Sequence, residues 1–201
     1  MLNAIAISKL IQDKDSGLGV APLLDPQKLE TGGDASLDLR LGCWFMKLRT
    51  ERYSQFDFAT TSGQSEDFLT QKTYVPFGKE FILHPRSFVL AATLEWIKVP
   101  SNLGGYVTGK SSLGRRGLVI ETAPGVHPGF LGCLTLELAN VGEVPLALHP
   151  GMSVCQLFLH QIVTNEVSDA KTRFRGERQP KLGINKPDPI LKALRDSRKA
   201  G

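Results

Sequence analysis

The sequence has no apolar run long enough to cross a membrane as a helix, no Cys-x-x-Cys pair, and no His-x-Glu or His-Glu-x-x-His arrangement. Each absence removes a class of function. A helical membrane protein is not expected. Three widely spaced cysteines, Cys43, Cys133 and Cys155, fit a reducing cytoplasm and argue against a disulfide framework or a structural zinc. The histidines are His84, His127, His149 and His160, and none has metal-ligand spacing, so no metal site built from protein side chains is expected. The zinc nucleobase deaminases, which need H-x-E and P-C-x-x-C, are excluded. No Gly-x-Ser-x-Gly elbow is present, and no cysteine has a catalytic context. The opening residues, MLNAIAISKLIQDKD, lack a basic start, a long apolar stretch and a small-residue cleavage site. No secretory signal is therefore expected, and the expected location is the cytoplasm.

What is present is an ordinary globular composition with uneven charge. The 201 residues suit one domain and a tail. The net charge of +4 divides into ten Lys/Arg against three Asp/Glu in residues 171–201, and −3 over residues 1–170. Residues 1–170 read as the domain and residues 171–201 as a basic tail, expected to be mobile. A basic tail attracts anions. No aromatic-rich RNA-binding motif or helix-turn-helix spacing accompanies it, so nucleic acid is not the expected partner.

Residues 4–12 (AIAISKLIQ) place Ile7, Leu10 and Ile11 on one face of a short amphipathic helix. Residues 13–30 contain Gly17, Gly19, Pro22 and Pro26 and read mostly as loop. Residues 35–41 (ASLDLRL) alternate strictly and predict a half-buried strand, with Leu37, Leu39 and Leu41 inward and Ser36, Asp38 and Arg40 outward. That strand is expected to end at Gly42 and to resume at residues 44–46. Residues 50–73 are polar and weakly patterned, and read as a surface insertion with little regular structure. Strand signals then recur at 79–83, 88–94, 96–99, 105–108, 118–120, 134–138, 146–148 and 154–159. Many short strands with Gly/Pro turns predict an all-β sandwich or barrel-like domain with a few short helices. Residues 189–199 predict one short helix.

Two stretches carry the chemistry. Residues 108–117 (TGKSSLGRRG) crowd Lys110, Ser111, Ser112, Arg115 and Arg116 into a glycine-punctuated loop. Residues 104–111 (GGYVTGKS) match the phosphate-loop pattern by letter. The match is rejected as a fold marker, because that loop needs a parallel strand before it and a long helix after it. Phosphate binding through Lys110 and local backbone N–H groups remains open, as does a plain turn with solvated cations. If the loop makes one helical turn, Ser111 and Arg115 share a face. In residues 133–138 (CLTLEL) the leucines face the core, while Cys133, Thr135 and Glu137 face away. Glu137 is either a solvated outer-face residue or, in a partly enclosed pocket, a group able to take a proton from water and return it.

Together, residues 109–115 (GKSSLGR), 122–123 (TA), 128–137 (PGFLGCLTLE), 150–152 (PGM) and 156–157 (QL) resemble dCTP deaminase, of the trimeric dUTPase-like superfamily. Residues 35–42, 83–85 and 93–95 fall in the expected order upstream. The resemblance implies a distorted jelly-roll (β-clip) fold, a homotrimer with sites between subunits, and metal-free hydrolytic deamination of dCTP to dUTP and ammonia. Within it, Glu137 activates water and passes its proton on, while Ser111 and Arg115 position the water and the base. The main chain at Thr135, Leu136 and Glu137 and near Ala123 reads the cytosine edge. Lys110, Ser111 and Ser112 hold the triphosphate, which brings Mg²⁺, and Leu113, Gly114 and Gln156 complete the binding set. Arg173 and Phe174 resemble a tail segment that closes over the nucleotide, with dUTP and dTTP as further candidate ligands.

Three positions depart from the family pattern. His127 stands where Asp usually meets the sugar 3′-hydroxyl; it can still hydrogen-bond a hydroxyl but is no carboxylate. Glu121 falls near a usual His, in a segment one residue shorter. Glu177 stands where a glutamine approaches the triphosphate. These departures keep two alternatives in view: a dUTPase-type pyrophosphatase, alone or combined with deamination, and a non-catalytic trimeric nucleotide-binding module.

Overall fold

The computed structural model describes residues 1–31, 33–49, 51, 65–121, 125–163, 175–183 and 188–197. Among the described residues, twelve strands and five short helices follow one another. They are α1 (Ala4–Gln12), β1 (Gly19–Ala21), α2 (Pro26–Thr31), β2 (Leu37–Leu48), α3 (Glu66–Leu69), β3 (Thr70–Tyr74), β4 (Phe81–Leu83), β5 (Phe88–Thr93), β6 (Trp96–Lys98), β7 (Leu103–Gly109), α4 (Ser111–Gly114), β8 (Leu118–Glu121), β9 (Leu131–Gly132), β10 (Thr135–Asn140), β11 (Leu146–Leu148), β12 (Ser153–Gln161) and α5 (Pro189–Ser197). The chain divides into two compact units. The larger comprises Met1–Met46 with Lys72–Lys181, and the smaller Lys47–Gln71 with Leu182–Gly201.

In the larger unit the main sheet runs β7-β12-β2-β5-β10-β8, and its named pairings are antiparallel. A smaller sheet runs β1-β6-β9, and β11 pairs with β4. The period-two reading holds at its two clearest places. Leu37, Leu39 and Leu41 are buried, as are Leu134, Leu136 and Leu138. Ile7 on α1 is fully buried against this core. The strands at the two ends of the main sheet come together: a Cβ on Gly109 of β7 would lie 3.0 Å from Cβ of Ile120 on β8. The sheet therefore curls, which is the barrel-like outcome the short strands predicted.

Two expectations need correction, and the loop at 13–30 needs refining. Gly42 does not end a strand. β2 runs unbroken to Leu48, with a register shift between Leu41 and Phe45 where it pairs with β5. Glycine is required there because a Cβ at position 42 would stand 2.9 Å from the Ala92 carbonyl oxygen. Residues 13–30 are mostly loop, as expected, but β1 and the start of α2 interrupt it. Pro26 opens α2, and Asp25 Oδ1 accepts a hydrogen bond from the Lys28 N–H, so the residues that looked like loop punctuation are a helix start. Within 50–73, α3 is capped by the Ser65 side chain and β3 follows it; positions 50 and 52–64 lie outside the described residues. In the smaller unit the helix predicted near 189–199 is α5, Pro189–Ser197.

Candidate active site

The cationic loop forms a single helical turn. Lys110 precedes α4, the Arg115 N–H donates to Ser111 O at 3.0 Å, and the Gly117 N–H donates to Gly114 O at 3.0 Å. Ser111 and Arg115 therefore share a face, and both are exposed. Gly117 ends the turn at φ +92°, where a Cβ would meet the Gly142 backbone nitrogen at 2.8 Å. The letters of the phosphate-loop match lie along β7, antiparallel to β12, which removes that motif on structural grounds.

Lys110 is held from behind. Its Nζ donates to Asp38 Oδ2 at 2.8 Å, and Lys28 Nζ donates to the same oxygen at 2.7 Å. Burial pushes the Asp38 carboxyl up, but the hydrogen bonds from Lys110 and Lys28 outweigh it, so the group is held below the ordinary aspartate range. Gln156 pairs in register with Asp38 and Thr108 and donates from Nε2 to Ser36 Oγ at 2.9 Å. Lys110, Gln156 and the α4 turn thus form one cluster. Asp38 and Lys28 were not among the predicted site residues. The alternation of residues 35–41 places Asp38 only on the polar face of its strand, and no local spacing reveals a partner 72 positions away.

Glu137 lies elsewhere. On β10 it stands opposite Leu90 of β5 and Glu121 of β8, so two carboxylates face one another across the β10–β8 pair. Like charges in that relation are destabilising, a local cost of the kind found where a strand serves chemistry. Glu137 is exposed in the single chain, and its carboxylate has no hydrogen-bond partner among the described residues. Among the described residues β8 pairs with β10 from Asn140 to Glu137, and β5 pairs with it as far as Thr135. Thr135 and Leu136 precede the carboxylate on β10, and the Leu136 side chain is fully buried.

Thr93 and Glu95 explain the upstream motif. Thr93 Oγ1 accepts from the Leu134 N–H at 2.9 Å and donates to Glu95 O, and Glu95 Oε2 accepts from the Arg40 N–H at 2.8 Å. Burial raises the Glu95 carboxyl, only partly offset by the Arg40 backbone hydrogen bond. Burial likewise pushes the Cys133 thiol up to about 11 and the Cys155 thiol up to about 12, so neither supplies a thiolate nucleophile at neutral pH.

The sheet brings the predicted residues into two groups rather than one. Asn140 pairs with Leu118, where β8 leaves the α4 turn, and Glu137 pairs with Glu121, where β8 ends. Three strand residues, roughly 10 Å, separate the two positions along β8. His127 is exposed in the turn that follows Val126, which bridges to Gly105 near the start of β7. Glu177 pairs with Lys181 Nζ at 3.7 Å. Ala123, Arg173 and Phe174 lie outside the described residues.

Known proteins share this pattern. The dCTP deaminase-like family model matches residues 1–162. A Mycobacterium tuberculosis protein named "dCTP deaminase, dUMP-forming" is 40% identical over 152 residues, covering 73% of this chain and 78% of its own length. A Dictyoglomus turgidum protein of the same name is 38% identical over 187 residues, covering 89% and 93%. The crystal structure of 2′-deoxycytidine 5′-triphosphate deaminase from Agrobacterium tumefaciens superposes with a TM-score of 0.59 at 20% identity, over 79% of this chain and 45% of that one, a likeness of fold alone. With a family model spanning the α4 turn, the β10 edge and the core behind both, the chain belongs to the dCTP deaminase-like family.

Proposed function

We propose that this chain hydrolytically deaminates the cytosine ring of dCTP. The observation that carries the reading is the mounting of Glu137: an exposed carboxylate on β10 between fully buried Leu136 and Leu138. Main-chain groups of Thr135, Leu136 and Glu137 can match the donor and acceptor pattern of a pyrimidine, and the carboxylate beside them meets the ring's reacting end. Glu137 takes a proton from water as the oxygen attacks C4. The tetrahedral carbon then carries both OH and NH₂. Proton return to the amino group lets ammonia leave and C4=O form as the hydroxyl proton passes to ring N3, so one carboxylate serves as base and then as acid. Ser111 and Arg115 orient the water and stabilise charge at the tetrahedral centre.

The triphosphate falls to Lys110, Ser111 and Ser112, with Mg²⁺ entering as part of the substrate. Asp38, the carboxylate bonded to Lys110, already holds two ammonium groups, which favours keeping the cation on the phosphates. Because the α4 turn and Glu137 stand at opposite ends of β8, we assign the turn to one subunit and the carboxylate to its neighbour, in a homotrimer.

The names of the relatives favour a second step, loss of pyrophosphate from dUTP to give dUMP. Purified protein incubated with dCTP should release ammonia, and Glu137→Gln should not. ³¹P NMR of the same reaction separates the products: inorganic pyrophosphate with dUMP supports the second step, and intact dUTP removes it. A wild-type protein that binds dCTP without releasing ammonia would overturn the deaminase reading.

A further inference from the structure

The segment 175–181 is not free chain. The Gly176 N–H donates to Leu131 O at 2.7 Å, and the Cys133 N–H donates to Glu177 O at 2.8 Å. The Lys181 N–H reaches Thr135 Oγ1 at 3.4 Å. These contacts occupy the side of β9 that faces away from β6, since the small sheet ends at β9. They also advance in step, from Leu131 to Cys133 to Thr135, toward the residue two places before Glu137. Gly176 makes the turn into this path at φ +86°. A side-chain contact also fastens it. The guanidinium of Arg178, itself exposed, lies over the ring of Trp96 on β6, with Cζ 4.8 Å from the ring centroid. Backbone hydrogen bonds place the segment without regard to sequence, whereas the cation–π contact depends on these two residues.

We propose that Trp96 and Arg178 form a clasp that holds residues 175–181 along β9, making both of them positioning residues for the nucleotide pocket beside Thr135 and Glu137. The inference rests on the reading of Glu137 as the reacting end. The clasp fixes the path of residues 175–181 along β9 as far as Thr135, two residues before Glu137. Neither clasp residue touches the reacting atoms. Their loss therefore weakens nucleotide retention more than it slows the chemical step.

The test uses the full chain without nucleotide, following amide hydrogen exchange by mass spectrometry at Gly176 and Cys133, whose N–H groups bond between the segment and β9. Trp96→Leu and Arg178→Gln should each speed exchange there several-fold. In steady-state assays they should raise KM for dCTP about two- to fivefold with kcat little changed. Trp96→Phe and Arg178→Lys should restore much of both. Arg178 is exposed, so its variants retain the fold even if a Trp96 variant does not. Unchanged exchange in folded Arg178→Gln, or a fall in kcat at constant KM, overturns the clasp. If the wild type does not turn over dCTP, the proposed activity fails, while the exchange comparison still decides whether the clasp exists.

Discussion

The α4 turn and the Glu137 position on β10 are held by opposite means. The turn is four residues long, exposed, and tethered through one half-buried ion cluster in which Lys110 and Lys28 share Asp38. Glu137 sits between fully buried Leu136 and Leu138 on a strand paired on both sides at that position. Cations that meet a flexible phosphate chain tolerate a soft mounting, because Coulomb attraction falls slowly with distance. A group that moves a proton does not, since transfer requires hydrogen-bond reach. The rigid part of the fold is spent on the carboxylate.

The largest expected effect tests the rigid side. Glu137→Gln should lower kcat by about 10²–10⁴-fold while leaving the melting temperature almost unchanged, because the side chain is exposed. Equal activity in the variant would move the proton chemistry elsewhere. Next comes the separation itself. Arg115→Ala should lose about 10²–10³-fold in kcat. Refolding it together with Glu137→Gln should recover about a quarter of wild-type activity if turn and carboxylate come from different subunits. No recovery would place both in one chain. Leu136→Ala should cost about 2–5 kcal/mol in chemical denaturation, whereas Ser112→Ala on the turn should stay within about 0.5 kcal/mol. Similar costs for the two would erase the contrast in mounting.

The smallest effects are in pH. Asp38 has a folded pKa below its unfolded one, so its stabilisation is complete above the unfolded value near 4 and is lost as pH falls through the lower folded value. Glu95 has a raised folded pKa, so its contribution is present below the unfolded value and is lost as pH rises through the folded one. Thermal melts from pH 3 to 8 should show Asp38→Asn flattening the acid limb, by about 1 kcal/mol or less. Glu95→Gln should flatten the opposite trend.

Much of this was legible because it is local. Alternation placed Leu37, Leu39, Leu41, Leu134, Leu136 and Leu138 in the core, and the spacing of Ser111 and Arg115 foretold their shared face once the loop proved to be one turn. What was not legible depends on register and long-range pairing. Glu121 faces Glu137 only because β8 and β10 pair in that alignment. Asp38 meets Lys110, and Arg178 meets Trp96, across long stretches of sequence. β9 is two residues long, too short for any period to mark it. The site's residue types were visible in the sequence; its division between the two ends of β8 was not.

The segment along β9 also bears on solubility. The two ends of the main sheet curl together at Gly109 and Ile120, but the small sheet stops at β9. Bare strand edges recruit other chains. Residues 176 and 177 satisfy that edge from within the same molecule. A chain cut before residue 175 should therefore lose more than tail function: it should associate with copies of itself through an uncovered β9, visible as concentration-dependent light scattering that the full-length protein does not show.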